Sequence, residues 1–230
     1  MGKSSSRKDN MEVLSQISDR KALEKFLTEQ GHLVPTPDGK SIYDVKIRNV
    51  AGLDDALGDR HGKVTMIVNV TGECGNSMQY PMLQVLQYDY AEQGFDVVCV
   101  PTNDYCEFGY GHFKDSRSTA EECHRFAYSH YRVRLPFTEL VASRYNRDDE
   151  PFQEPHALFH RLGVNNGEIR GNFEKFVVSK DGKRVARFTN GSLLPSNHES
   201  GMDVFDPAEA LRRIRASIEL FLSEELPDAT

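Results

Sequence analysis

The chain has 230 residues, which at roughly 100–200 residues per domain fits one domain with an attached arm and suffices to bury a core without a disulfide or metal staple. With 38% hydrophobic and 10% aromatic residues it is neither disordered nor low-complexity. Lys+Arg 28 against Asp+Glu 35 gives a net charge of −7, a poor match for nucleic acid or an anionic membrane.

The longest apolar runs, such as residues 97–100, are far too short to span a bilayer. The start of the chain lacks the apolar core of a signal peptide, so the four Cys are expected as reduced thiols in the cytoplasm. Met1-Gly2-Lys3-Ser4-Ser5-Ser6 fits a myristoylation pattern, but it also reads as a polar tail, and the polar tail is the preferred reading.

In chain order, residues 1–10 are polar. Leu14, Ile17, Leu23, Phe26 and Leu27 then recur at helical spacing, which predicts one or two short helices between residues 10 and 30. Asp19 is the expected cap and Gly31 the expected stop. Pro35-Thr36-Pro37-Asp38-Gly39 reads as a turn-rich linker, so residues 1–38 form an N-terminal helical extension and 39–230 the main domain. Residues 43–50 read as a strand and 53–57 as a short helix or turn. Residues 64–70 are an apolar, β-branched run expected of a buried central strand. A helix with Leu83, Leu86 and Tyr90 on one face follows, closed by Gly94, and 95–101 is the next buried strand. Helices are expected at about 118–131 and 154–163. Residues 173–179 and 184–189 read as a hairpin around Asp181-Gly182, and a final helix starts at Pro207. This order makes an α/β chain with a mixed sheet.

The chemistry centres on Asn69-Val70-Thr71-Gly72-Glu73-Cys74-Gly75. A buried strand ends, a loop with two glycines follows, and a helix begins near Ser77. Cys74 therefore sits just ahead of a helix N-terminus, where free N–H groups and the positive dipole end favour a thiolate. The spacing alone leaves open an inert Cys in a surface turn.

These residues, with others in order, resemble the glutathione peroxidase family, a branch of the thioredoxin-like fold. Gly62-Lys63-Val64 leads into the strand Ile67-Val68-Asn69-Val70, and Cys74-Gly75 occupies the place of the peroxidatic Cys or selenocysteine. Tyr80-Pro81, Val100-Pro101-Thr102-Asn103, Leu135-Pro136-Phe137, His156-Ala157-Leu158-Phe159, Asn172-Phe173-Glu174-Lys175-Phe176 and Leu194-Pro195 continue the match. The resemblance implies a thioredoxin-like mixed sheet flanked by helices. It also implies a thiol-dependent peroxidase acting through Cys74, with a small-molecule peroxide and a thiol reductant, glutathione or a thioredoxin-like protein, as partners. No cofactor, nucleic acid or membrane span is expected, and the oligomeric state is left open.

Of the family's Cys–Gln–Trp–Asn tetrad, Cys74 and Asn172 are kept. The Trp position is Gly171, and no Trp exists anywhere in the chain. The Gln position falls on Phe108, beside Glu107, whose carboxylate would oppose a thiolate where Gln donates. The usual resolving position is Tyr128; Cys106 reads either as the resolving thiol or, by slight preference, as an unpaired loop Cys, Cys123 on the following helix is another candidate, and Cys99 reads as a core residue. Gly75, Glu107, Phe108 and Gly171 are the expected lining of the site. The losses keep two alternatives open: a Cys74-dependent enzyme with another substrate, or a redox-sensing or binding protein without turnover.

His156 and His160 have the spacing of one helix face but lack a third ligand nearby, so no metal is expected. Arg132 and Arg134 flank Val133 on an expected extended segment and could hold an anionic thiol.

Overall fold

Seven consecutive buried residues, Val64–Val70, form the central strand β2. Such a run suits a strand covered on both faces. It pairs in parallel with β3 (Phe95–Pro101), matching Val64 to Phe95 and Val70 to Pro101. On its other side it pairs antiparallel with β4 (Lys175–Val178), which continues through a hairpin to β5 (Arg184–Phe188). A short strand β1 (Leu33–Pro35) pairs antiparallel with β5. The sheet order is β1-β5-β4-β2-β3, a five-stranded mixed sheet as expected. The computed structural model describes residues 20–29, 33–53, 55–105, 119–145, 154–163, 169–193 and 207–226.

The helices are α1 (Arg20–Glu29), α2 (Tyr80–Tyr90), α3 (Ala120–Tyr131), α4 (Ala157–Arg161) and α5 (Pro207–Leu222). Thr119 and Glu122 form a reciprocal capping box that starts α3. Gly94, in the left-handed region at φ 88°, ends the turn after α2. Alternation along the strands divides the core. Met66, Val68, Val97 and Cys99 pack with Leu83, Leu86, Ala127, Ile214, Ile218 and Phe221. Ile67, Val98, Val100 and Phe176 pack on the opposite face with Ile42, Tyr43, Leu158, Phe159 and Leu162. Helices thus cover both faces.

Three local expectations change. Residues 43–50 do not form a strand: Ile42–Asp44 is a 3-10 turn, and only isolated bridges follow at Arg48 and Asn49. Ser41 Oγ accepts the Tyr43 N–H, and the Tyr43 hydroxyl reaches Lys63 O, Thr65 Oγ1 and Ser179 O. Local capping and a buried tyrosine anchor override strand propensity there. The linker expected at 35–39 begins as the edge strand β1. The strand expected from residue 173 starts at Lys175, because Phe173 is left-handed at φ 74° and bends the chain. The hairpin turn needs Gly182 doubly: its φ is 74°, and a Cβ there would lie 2.1 Å from Ser41 Oγ. Asp19, Gly31 and the polar tail lie outside the described residues.

Candidate active site

Cys74 caps a 3-10 turn, Gly75–Gln79, that runs directly into α2. Its own backbone is extended, and its Sγ accepts the Asn76 N–H at 3.4 Å. The helix expected near Ser77 therefore opens with a tighter turn, and Cys74 occupies the capping position that sequence placed it near. Ser77 closes the loop by donating from Oγ to Gly72 O over 2.8 Å. Cys74 is half-buried, whereas Cys99 and Cys123 are buried. Burial pushes the Cys99 thiol well above its usual range, with Cys123 adding to the effect.

Asn172 comes to Cys74 from the far end of the chain. Its Nδ2 lies 3.9 Å from Cys74 Sγ, in line to donate to it, and its backbone oxygen accepts from Asn76 Nδ2 at 3.1 Å. Its Oδ1 is buried and finds no donor among the described residues. Asn69, on β2, fixes this turn: Nδ2 donates to Gly171 O at 3.1 Å, Oδ1 accepts the Glu174 N–H at 2.9 Å, and its backbone oxygen accepts the Phe173 N–H at 2.6 Å. Those bonds hold Phe173 in a backbone region that costs an ordinary L-residue about 1–2 kcal/mol. The Phe173 ring packs edge-on against Tyr80, with centroids 4.9 Å apart.

Tyr80 runs beneath the site. Its hydroxyl donates to Thr71 O at 3.1 Å and lies 3.7 Å from Cys123 Sγ. Burial, with the nearby thiols of Cys123, Cys99 and Cys74, pushes the phenol well above its usual range. Tyr131, at the end of α3, packs its ring tilted against Tyr80 with centroids 5.7 Å apart; its phenol is raised by burial first, then by Cys74 and Glu73.

Gly171, the position expected to carry an indole, is filled by another residue. A Cβ on Gly171 would lie 2.6 Å from Asn190 Nδ2 and 3.3 Å from its Cγ. Asn190 is held by its backbone oxygen, which accepts from Gln79 Nε2 at 2.6 Å and Lys175 Nζ at 3.1 Å. Lys175 is fully buried and also bonds Gln79 Oε1. Burial drives its ammonium well below the usual lysine range.

Asn69, Asn76, Gln79, Lys175 and Asn190 are therefore site-building residues that sequence reasoning missed. The signal for two of them was present: a single Asn in the apolar run 64–70 and a single Lys opening the apolar strand at 175 are polar groups that must find partners when buried. Asn172 and Gly75 lie beside Cys74. Cys106, Glu107 and Phe108 lie outside the described residues.

Two weaker expectations also change. His156 sits ahead of α4 as its cap, its Nδ1 accepting the Leu158 N–H at 3.3 Å, while the His160 ring packs against Tyr145. Arg132 is not extended but left-handed at φ 58°, ending α3, with its guanidinium 5.8 Å from the Tyr128 ring. No group of three or more metal-ligating side chains occurs among the described residues. No described helix is long and apolar enough to cross a membrane.

Comparison with known proteins bears on the family and the fold. The glutathione peroxidase family model matches residues 42–153. The glutathione peroxidase homolog BsaA of Halalkalibacterium halodurans is 33% identical over 153 residues, covering 64% of this chain and 88% of that protein. The phospholipid hydroperoxide glutathione peroxidase 1, chloroplastic, of Arabidopsis thaliana is also 33% identical over 153 residues, and the match covers 65% of this chain and 60% of that protein's length. The crystal structure of Trgpx in apo form superposes with a TM-score of 0.53 at 23% identity, over 82% of this chain and 99% of that one, which establishes the shared thioredoxin-like fold. With a cysteine capping the turn after the central strand and an asparagine amide directed at its sulfur, the chain belongs to the glutathione peroxidase family, whose members are thiol-dependent peroxidases.

Proposed function

We propose that this protein reduces hydroperoxides at Cys74. The observation that carries the reading is the pairing of a half-buried, N-capping Cys74 with the Asn172 amide directed at its sulfur. The Cys74 thiolate attacks the distal oxygen of a hydroperoxide, so that an S–O bond forms as the O–O bond breaks. The departing alkoxide or hydroxide takes a proton from water, and the sulfur is left as sulfenic acid. A second thiol condenses with it, losing water, and glutathione or a thioredoxin-like protein then reduces the disulfide. Cys106 serves as the internal second thiol in this reading. Three free thiols among the described residues suit a reducing compartment such as the cytoplasm.

The side-chain-free Gly171 supports a second reading, in which Cys74 acts on another substrate or only senses oxidant. The rate of Cys74 oxidation by hydrogen peroxide separates the two. A peroxidase should exceed free cysteine by about 10²-fold or more, the contribution expected of even one well-placed donor. A rate equal to free cysteine, unchanged in ranking across alkyl hydroperoxides, would leave the second reading.

A further inference from the structure

We propose that Asn190 is a catalytic carboxamide of this site, donating from Nδ2 to the oxygen that departs when Cys74 attacks a hydroperoxide. The inference rests on the peroxidase reading and adds a residue to it.

Three observations converge on Asn190. Its amide nitrogen occupies the space beside Gly171 where any side chain would begin, 2.6 Å from the would-be Cβ. Gly171 directly precedes Asn172, the residue whose own amide is directed at Cys74 Sγ. Only glycine at 171 lets a side chain from another segment enter there. The backbone of Asn190 is also pinned from two sides, by Gln79 at 2.6 Å and Lys175 at 3.1 Å. Gln79 ends the same 3-10 turn that Cys74 caps, so the anchor of Asn190 and the nucleophile share one rigid element. Lys175 is fully buried, and its bonds to Gln79 and to Thr189 O tie that element to the segment after β5.

The chemistry needs such a group. When the S–O bond forms, negative charge develops on the leaving oxygen, not on sulfur. The Asn172 amide is engaged with the sulfur, so the leaving oxygen requires a different donor. A neutral carboxamide N–H held by its own backbone supplies one without reorganising at the moment of reaction. The step remains balanced: the alkoxide leaves hydrogen-bonded to Asn190, takes a proton from water, and departs as alcohol.

The test uses the full chain and two reactions of the same sulfur. Hydrogen peroxide oxidation has a departing oxygen; alkylation by iodoacetamide has none. Asn190→Ala should lower the peroxide rate constant by about 10²-fold while alkylation stays within about twofold. Asn190→Asp keeps the volume but replaces the donor by an acceptor, and it should show the same selective loss even if the alanine variant folds poorly. Parallel loss of both rates in the two variants would make Asn190 structural and overturn the proposal, as would an unchanged peroxide rate in both. A wild-type peroxide rate no faster than free cysteine is a separate failure, because it removes the peroxidase reading itself.

Discussion

Asn69 Nδ2 donates to Gly171 O over 3.1 Å, so the second-last residue of the central strand fixes the turn that carries Asn172. Asn69→Ala leaves the Gly171 carbonyl and the Glu174 N–H without this partner in a buried setting. At about 1–3 kcal/mol per unsatisfied buried group, a loss of about 2–4 kcal/mol is expected. Urea denaturation measures it. The peroxide rate should fall as well, since the turn would no longer hold Asn172 against Cys74.

Gly171→Trp should not restore an indole donor. The would-be Cβ already meets the Asn190 carboxamide at 2.6 Å, so the substitution overpacks and should cost about 1–3 kcal/mol. Adding Asn190→Gly should recover much of that loss, which a thermal melt of the single and double variants would reveal. Equal destabilisation in both would show that the strain lies elsewhere.

Cys74 should be alkylated before Cys99 and Cys123. It is half-buried, whereas both others lie in the core, and the Cys99 thiol is pushed well up by burial. Brief iodoacetamide treatment at neutral pH, followed by peptide mass spectrometry, reads the order directly. First modification at Cys99 or Cys123 would displace the site.

After one equivalent of peroxide, a Cys74–Cys106 linked peptide is the expected product, and Cys106→Ser should instead stop at sulfenic acid and overoxidise with excess peroxide. Cys123 is the internal competitor. It is packed beside the Tyr80 hydroxyl and only 1% exposed, so it would have to leave the core to react. A Cys74–Cys123 peptide would transfer the role to α3 and show that this helix opens on oxidation.

His156 should make stability depend on pH. Burial lowers its pKa in the folded protein, against an opposing effect of Glu139. The unfolded chain, with a His pKa near about 6.5, then binds the proton more readily, so stability is full above that value and declines as pH falls through it toward the lower folded value. His156→Asn keeps a capping side chain and removes the titration. The difference in urea midpoint between pH 7.5 and 5.5 should therefore shrink in the variant.

What was legible in the sequence was whatever local pattern controls. The β-branched run 64–70, the Asp181-Gly182 turn and the glycine-flanked Cys74 each carry their structural reason within a few residues. The segment after Ser41 suits a strand by local pattern, while the bonds of the Tyr43 hydroxyl to Lys63, Thr65 and Ser179 that decide its structure come from distant positions. Asn190 was invisible for the same reason. Its contact with Gly171 depends on how the segment after β5 folds back over the turn before β4, and no periodicity encodes that.

The two borders of the sheet are also closed. Among the described residues, only the three-residue β1 lies beyond β5, and it ends in Pro35, which has no N–H to offer a further strand. Arg184 on β5 pairs with Glu24 of α1 and with Glu224 after α5, clamping this border between the two helices. At the opposite border, Cys99 N–H donates to Pro136 O and Thr138 N–H to Cys99 O, so a loop segment occupies the outer side of β3. Among the described residues, extension of the sheet by a second copy or by an extended peptide thus finds no long backbone ladder to join. On the proposed reading, a reductant protein would meet the Cys74 turn through side chains, so that recognition there rests on shape and charge and not on strand addition.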